Sequence, residues 1–261
     1  MSSKPNSSSS RLFVPDELTR RAEYYGGLFK TSLECRPQVA IDFYNLLYHL
    51  DLFDVLLTEE YGDRPKTLRI TALEVSLIFH EWLGFVVDHC IGSYYAAART
   101  LRWIYESSLG SAVALIDGRL LLGPSGRRHL TLNQFENWLR QYDAHSVTFP
   151  RRRSLGAIGL SLTQQQSCND LYSSLCKFSH LSTKSFVPVS SIAEMVVDVK
   201  HFDVIANYAY RAMDLALYCI IKATVSQWDI SDFLASYLPY FRTGEPYVVR
   251  RRKFPLTLSL L

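Results

Sequence analysis

The chain has 261 residues, 48% hydrophobic and 20% charged, the ordinary balance of a globular protein long enough for one large core or a main domain with a small appendage. Its 28 basic residues against 25 acidic ones leave a formal charge of +3, too small a surplus to imply polyanion binding, so a nucleic-acid reading has to rest on local clusters. Cys35, Cys90, Cys168, Cys176 and Cys219 form no C-x-x-C pair, which points to neither a disulfide framework nor a zinc ribbon and fits a reducing cytoplasm.

The opening MSSKPNSSSSR is polar with no apolar h-region, which predicts a disordered tail over residues 1–14 rather than a secretory signal. Asp16, after Pro15, is placed to cap a short helix through Phe29, which Gly26 and Gly27 weaken near its end. From Pro37 to Leu57, apolar residues recur at helical spacing: Ile41, Tyr44, Leu47 or Tyr48, and Phe53. Gly-Asp-Arg-Pro at 62–65 breaks the pattern before a longer helical stretch from near Thr71, with Leu73, Leu77, Trp82 and Val86 in register. Gly92 and Ser93 mark a tight turn or kink. The following SYYAAARTLRWIYESSLGSAVALI, 93–116, is apolar on most of its circumference and predicts a central helix contacted from more than one side.

Asp117 to Arg128 reads as an irregular connection with a short strand at Leu120 to Leu122, and Thr131 as the cap of a helix through Gln141. PRRRSLGAIG is a second connection without periodicity; Thr163 to Leu181 is helical, and Ser182 to Ile192 is a Ser/Pro loop. The helix predicted over 201–225 has two adjacent seams. The smaller runs Phe202, Ile205, Ala209, Ala212, Ala216, Cys219, Ala223; the larger runs Ala206, Tyr210, Met213, Leu217, Ile220. Small residues admit one neighbour closely while large ones fill space against another, the pattern of a helix inside a bundle. The apolar run from Val204 to Val225 carries Arg211, Asp214 and Lys222, each costly in hydrocarbon, so no membrane span is expected. Asp229 to Tyr240 predicts a last short helix, and VVRRRKFPLTLSLL shows no packing pattern. The whole reads as all-α: about seven helices over 15–245 with the core in 70–225, irregular basic connections, and a basic C-terminal tail at 246–261.

Two constellations can carry chemistry. Arg102 and Glu106, four apart on an otherwise apolar helix, predict a buried pair that fixes helix register or takes part in a site; Arg99 can extend the same face. Tyr172, Cys176, Ser179 and His180 lie at offsets of four, seven and eight on one side of a helix, a phenol, thiol, hydroxyl and imidazole suited to acid/base work if that face lines a cleft. The plainer reading places Tyr172 and Cys176 in the core with His180 bonded to a carbonyl near the helix end. Arg127 and Arg128, Arg151 to Arg153, and Arg250 to Lys253 are candidate phosphate contacts, two of them near aromatics; singly, each is more simply a solvated loop or tail. His80-Glu81 and Asp88-His89 do not match the spacing of a known metal site, and no phosphate loop, H-E-x-x-H or G-x-S-x-G occurs, so neither metal nor cofactor is expected.

The pairing of a helix carrying LRWIYE (Leu101 to Glu106) with a later one carrying LYSSLCKFSH (Leu171 to His180) resembles a pattern recurrent in bacterial and archaeal helical proteins. Some of these are grouped with the HEPN (higher eukaryotes and prokaryotes nucleotide-binding) superfamily. The similarity covers about residues 70 to 225. It implies an up-and-down bundle, often dimeric, with Arg102, Glu106 and His180 together between helices. It also implies action on, or binding of, RNA or a nucleotide in defence or stress, with His180 as acid/base, Arg102 as phosphate ligand and Glu106 orienting it. Active ribonucleases of that superfamily carry R-x(4 to 6)-H in a helix. Here no Arg lies within six residues before His180, and the formal match, Arg140 to His145 in RQYDAH, lacks the polar residue usual after the Arg. The alternative expectation is a non-catalytic bundle that dimerises or binds a partner.

Overall fold

A computed structural model describes residues 15–58, 68–117, 155–179, 198–226 and 253–260. They form an all-α helical bundle: α1 (Pro15–Cys35), α2 (Pro37–Thr58), α3 (Leu68–Cys90), α4 (Tyr94–Asp117), α5 (Leu162–Ser179), α6 (Val199–Val225) and α7 (Pro255–Leu260), with no strand among the described residues. The strand expected at 120–122, the helices at 131–141 and 229–240 and the loop at 182–192 lie outside them, as do residues 1–14.

The prediction of a central helix holds. α4 packs on α3, α5 and α6, burying Ala97, Ala98, Leu101, Ile104 and Tyr105. α6 buries both of its seams, and Leu215, Tyr218 and Ile221 besides, so it too is enclosed on most sides. The heaviest anchor is aromatic. Trp82 stacks on Phe85 with ring centroids 4.7 Å apart, meets Phe43 edge-on at 5.2 Å, and donates its indole N–H to the Phe43 carbonyl at 3.1 Å. Burying the indole therefore leaves no donor unpaired.

The helix ends follow from local chemistry. Gly92 takes φ 82°, and the amides of Gly92 and Ser93 reach back to the carbonyls of His89 and Asp88, closing α3 so that α4 can start at Tyr94. Asp198 caps α6 by accepting from the amides of Lys200 and His201, and its carboxylate also bonds the His201 ring at 2.7 Å. Ser161 and Gln164 make a reciprocal cap at the start of α5, the Ser161 amide donating to Gln164 Oε1 at 2.8 Å and the Gln164 amide to Ser161 Oγ at 3.4 Å.

Three expectations need correction. α1 does not stop near Phe29 but runs through Gly26 and Gly27 to Cys35, and it begins at Pro15, so Asp16 lies within the helix rather than capping it. Pro at a first helical position forfeits only an amide that has no helical partner. The second half of PRRRSLGAIG belongs to the core: Leu155 and Ile158 are buried, as is Leu160 just after it, and Tyr218 donates to the Ile158 carbonyl at 3.0 Å. The C-terminal segment without a visible pattern also docks. Phe254, Leu256 and Thr257 are buried against α6, where the Asp214 carboxylate accepts from the amides of Leu256 (2.9 Å) and Thr257 (2.8 Å) and from the Thr257 hydroxyl (2.8 Å). A side chain from one helix thus satisfies the free first-turn donors of another.

Candidate functional site

α4 and α5 bring three of the candidate residues together. Arg102 Nε donates to Glu106 Oε1 at 2.9 Å, and the same oxygen accepts the Tyr172 hydroxyl from α5; the guanidinium lies 5.5 Å from the centre of the Tyr172 ring. Tyr172 in turn rests on Tyr105, centroids 5.3 Å apart. The pair is half-buried, each side chain 24% exposed, so water still reaches it.

Its electrostatics are those of a closed circuit. Burial pulls the Arg102 guanidinium down, but the hydrogen bond and charge of Glu106 outweigh this, and its pKa ends above the ordinary value. Burial raises the Tyr172 phenol, and the bond to Glu106 raises it further, because ionising the phenol would set a second anion beside the carboxylate. Near neutral pH the phenol is therefore a donor and not a base. Glu106 spends one oxygen on two donors and ties α4 to α5.

The rest of the predicted site is not brought into this view. Ser179 is the last residue of α5, while His180 lies outside the described residues, as do Arg127, Arg128, Arg151, Arg152 and Arg153 and the RQYDAH segment. Cys176 is half-buried on the Tyr172 face, and Arg99 is exposed. His80 is exposed, whereas His89 is enclosed by Phe43, Phe85, Tyr94 and Phe202, the last only 4.0 Å away between ring centres. Neither ring nitrogen of His89 has a hydrogen-bond partner among the described residues, and burial drives its pKa down to about 3. The imidazole is neutral and serves as a flat ring in an aromatic stack.

Sequence reasoning missed a buried acid. Glu74 on α3 accepts from Ser107 Oγ at 2.6 Å and Ser111 Oγ at 2.9 Å on α4, and burial raises its pKa despite those two bonds. The available signal was a lone acid inside the apolar run ITALEVSLIF. Asp42 was missed too: Gln38 Nε2 donates to its Oδ1 at 3.1 Å and the Tyr210 hydroxyl to its Oδ2 at 2.5 Å. Both acids bind polar groups of neighbouring helices, and neither faces an open cleft: Glu74 and Asp42 are buried.

Comparison with known proteins found no matching family model, no matching curated protein and no matching solved structure.

Proposed function

We propose that the protein is a non-catalytic helical bundle that works by associating with a second copy of itself, and that the Arg102–Glu106–Tyr172 cluster is a lock between α4 and α5. The observation that carries the lock is the double use of Glu106 Oε1: the carboxylate of the cluster already accepts from both a guanidinium and a phenol. For the association, α2 presents Ile41 at 49% and Tyr44 at 66% exposure. Both line an apolar cavity of about 390 Å³ that Phe29 and Leu33 of α1 and Val86 of α3 complete. A projecting aromatic beside a cavity on the same surface is the self-complementarity that a two-fold interface requires. Tyr44→Glu is expected to convert a dimer to a monomer in sedimentation velocity while leaving helicity intact. A parent that stays monomeric up to about 100 μM contradicts the reading.

The HEPN-like reading, action on RNA or a nucleotide with His180 as acid/base, Arg102 as phosphate ligand and Glu106 orienting it, is favoured by one observation. The Arg102–Glu106 pair keeps about a quarter of its side-chain surface in water, the access that a phosphate ligand of Arg102 requires. It predicts RNA cleavage by the parent that His180→Ala and Arg102→Ala both abolish without change in melting temperature. The lock predicts no cleavage and a lower melting temperature for Arg102→Ala.

A further inference from the structure

A cleft of about 540 Å³ opens between the first turns of α5, the middle of α6 and the start of α7, away from the α4–α5 cluster. Two cations line it, Arg211 from α6 and Lys253 just before α7. Neither has a carboxylate within ion-pair distance among the described residues. Arg211 is held in place by its own bond, Nη2 to the Ser167 carbonyl at 2.6 Å and to the Ser167 hydroxyl at 3.2 Å, and a guanidinium carries further N–H donors beyond those two contacts. Lys253 stands over the Tyr210 ring, its Nζ 4.9 Å from the centroid, which holds the ammonium by the ring quadrupole without neutralising it.

The remaining lining divides by chemistry. Thr163 and Asn207 add neutral polar side chains on the same walls, and Leu171, Pro255 and Leu256 add an apolar one. The one acid among the described lining residues, Asp214, already accepts from two amides and a hydroxyl of α7, so it is spent on holding that helix. Two cations against one engaged carboxylate leave an uncompensated positive surface in a concave, partly apolar site of the size that small ligands occupy.

We infer that this cleft binds a small phosphomonoester, its phosphate between Arg211 and Lys253 and its organic body against Leu171, Pro255 and Leu256. The assignment is independent of the dimer and of the lock. Guanidinium and ammonium together suit a dianionic phosphate, since charge-assisted hydrogen bonds are the strong ones and arginine offers a planar fork where lysine offers a point charge.

The test is isothermal titration of the full chain with phenyl phosphate, with inorganic phosphate and with phenol. The expected result is saturable binding of phenyl phosphate, weaker binding of inorganic phosphate and none of phenol, with affinity falling as salt rises. Lys253→Gln should weaken phenyl phosphate about fivefold or more, and Arg211→Gln about tenfold or more. Because Arg211 also braces α5, Lys253→Gln is the deciding variant; among the described residues its ammonium has the Tyr210 face and no ion pair, and its melting temperature without ligand should match the parent. No binding of phenyl phosphate at millimolar concentration, or an unchanged affinity in Lys253→Gln, overturns the phosphate site. Equal affinity for inorganic and phenyl phosphate overturns the assignment of the apolar wall.

Discussion

Replacing Asp214 by alanine is expected to cost about 3 kcal/mol and to release α7 from the bundle. The carboxylate accepts from the buried amides of Leu256 and Thr257 and from the Thr257 hydroxyl, and alanine removes the acceptor of both amides, while the hydroxyl keeps its second bond, to the backbone carbonyl of residue 214 at 3.1 Å. An orphaned buried donor costs about 1–3 kcal/mol, and relief of the buried charge offsets part of the sum. Denaturant unfolding gives the magnitude. Hydrogen exchange should locate the loss, with amides of 256–260 exchanging early in the variant and Phe254 no longer sealed against Tyr210.

The same residue sets a pH dependence of definite sign. Burial raises the Asp214 carboxyl from 3.8 to about 6, against the opposing pull of its three hydrogen bonds. The folded state therefore binds a proton more readily than the unfolded chain. The stabilisation is fully present below the unfolded value and is lost as pH rises through about 6. Over that window it amounts to about 3 kcal/mol. Asp198 and Asp203 run the other way: His201 and Arg36 respectively hold them below the ordinary carboxylate value, so their contribution falls away only in stronger acid. Parent minus Asp214→Asn should show stability rising as pH falls from 7 to 4, and a flat difference would remove Asp214 as its source.

The second large effect is expected at Glu106. Glu106→Ala should cost about 2 kcal/mol, because it takes the carboxylate from a half-buried guanidinium and an acceptor from the Tyr172 phenol together. Water reaches a quarter of the pair, which holds the value below that of a sealed ion pair. Tyr172→Phe removes one donor and leaves the Arg102–Glu106 pair in place, so about 1 kcal/mol is expected.

How much of this could be read from the residues depends on sequence separation. Arg102 and Glu106 are four apart on one helix, a relation periodicity encodes directly, and the two seams of α6 and the encirclement of α4 follow from the same rule. Tyr172 was visible as a member of a helix face, but its bond to Glu106 spans 66 positions, and no local pattern specifies which helix that face meets. Asp214 and the α7 amides are 42 and 43 apart, and α7 is too short for periodicity to show; Pro255 at its first position was the one local sign. Arg211 and Lys253 come from separate segments, so their cleft exists only once the helices are packed. Runs of arginine drew attention in the sequence, while the phosphate site proposed here uses isolated cations that composition does not mark.

The central claim is that Glu106 locks α4 to α5 through Tyr172, and a double-mutant cycle tests it most directly: unfolding free energies of the parent, Glu106→Ala, Tyr172→Phe and the double variant. The lock predicts a coupling energy of about 1 kcal/mol or more between the two positions, both single variants being less stable than the parent. Additive effects, with coupling indistinguishable from zero, would contradict it and return Glu106 to the pool of groups free for chemistry.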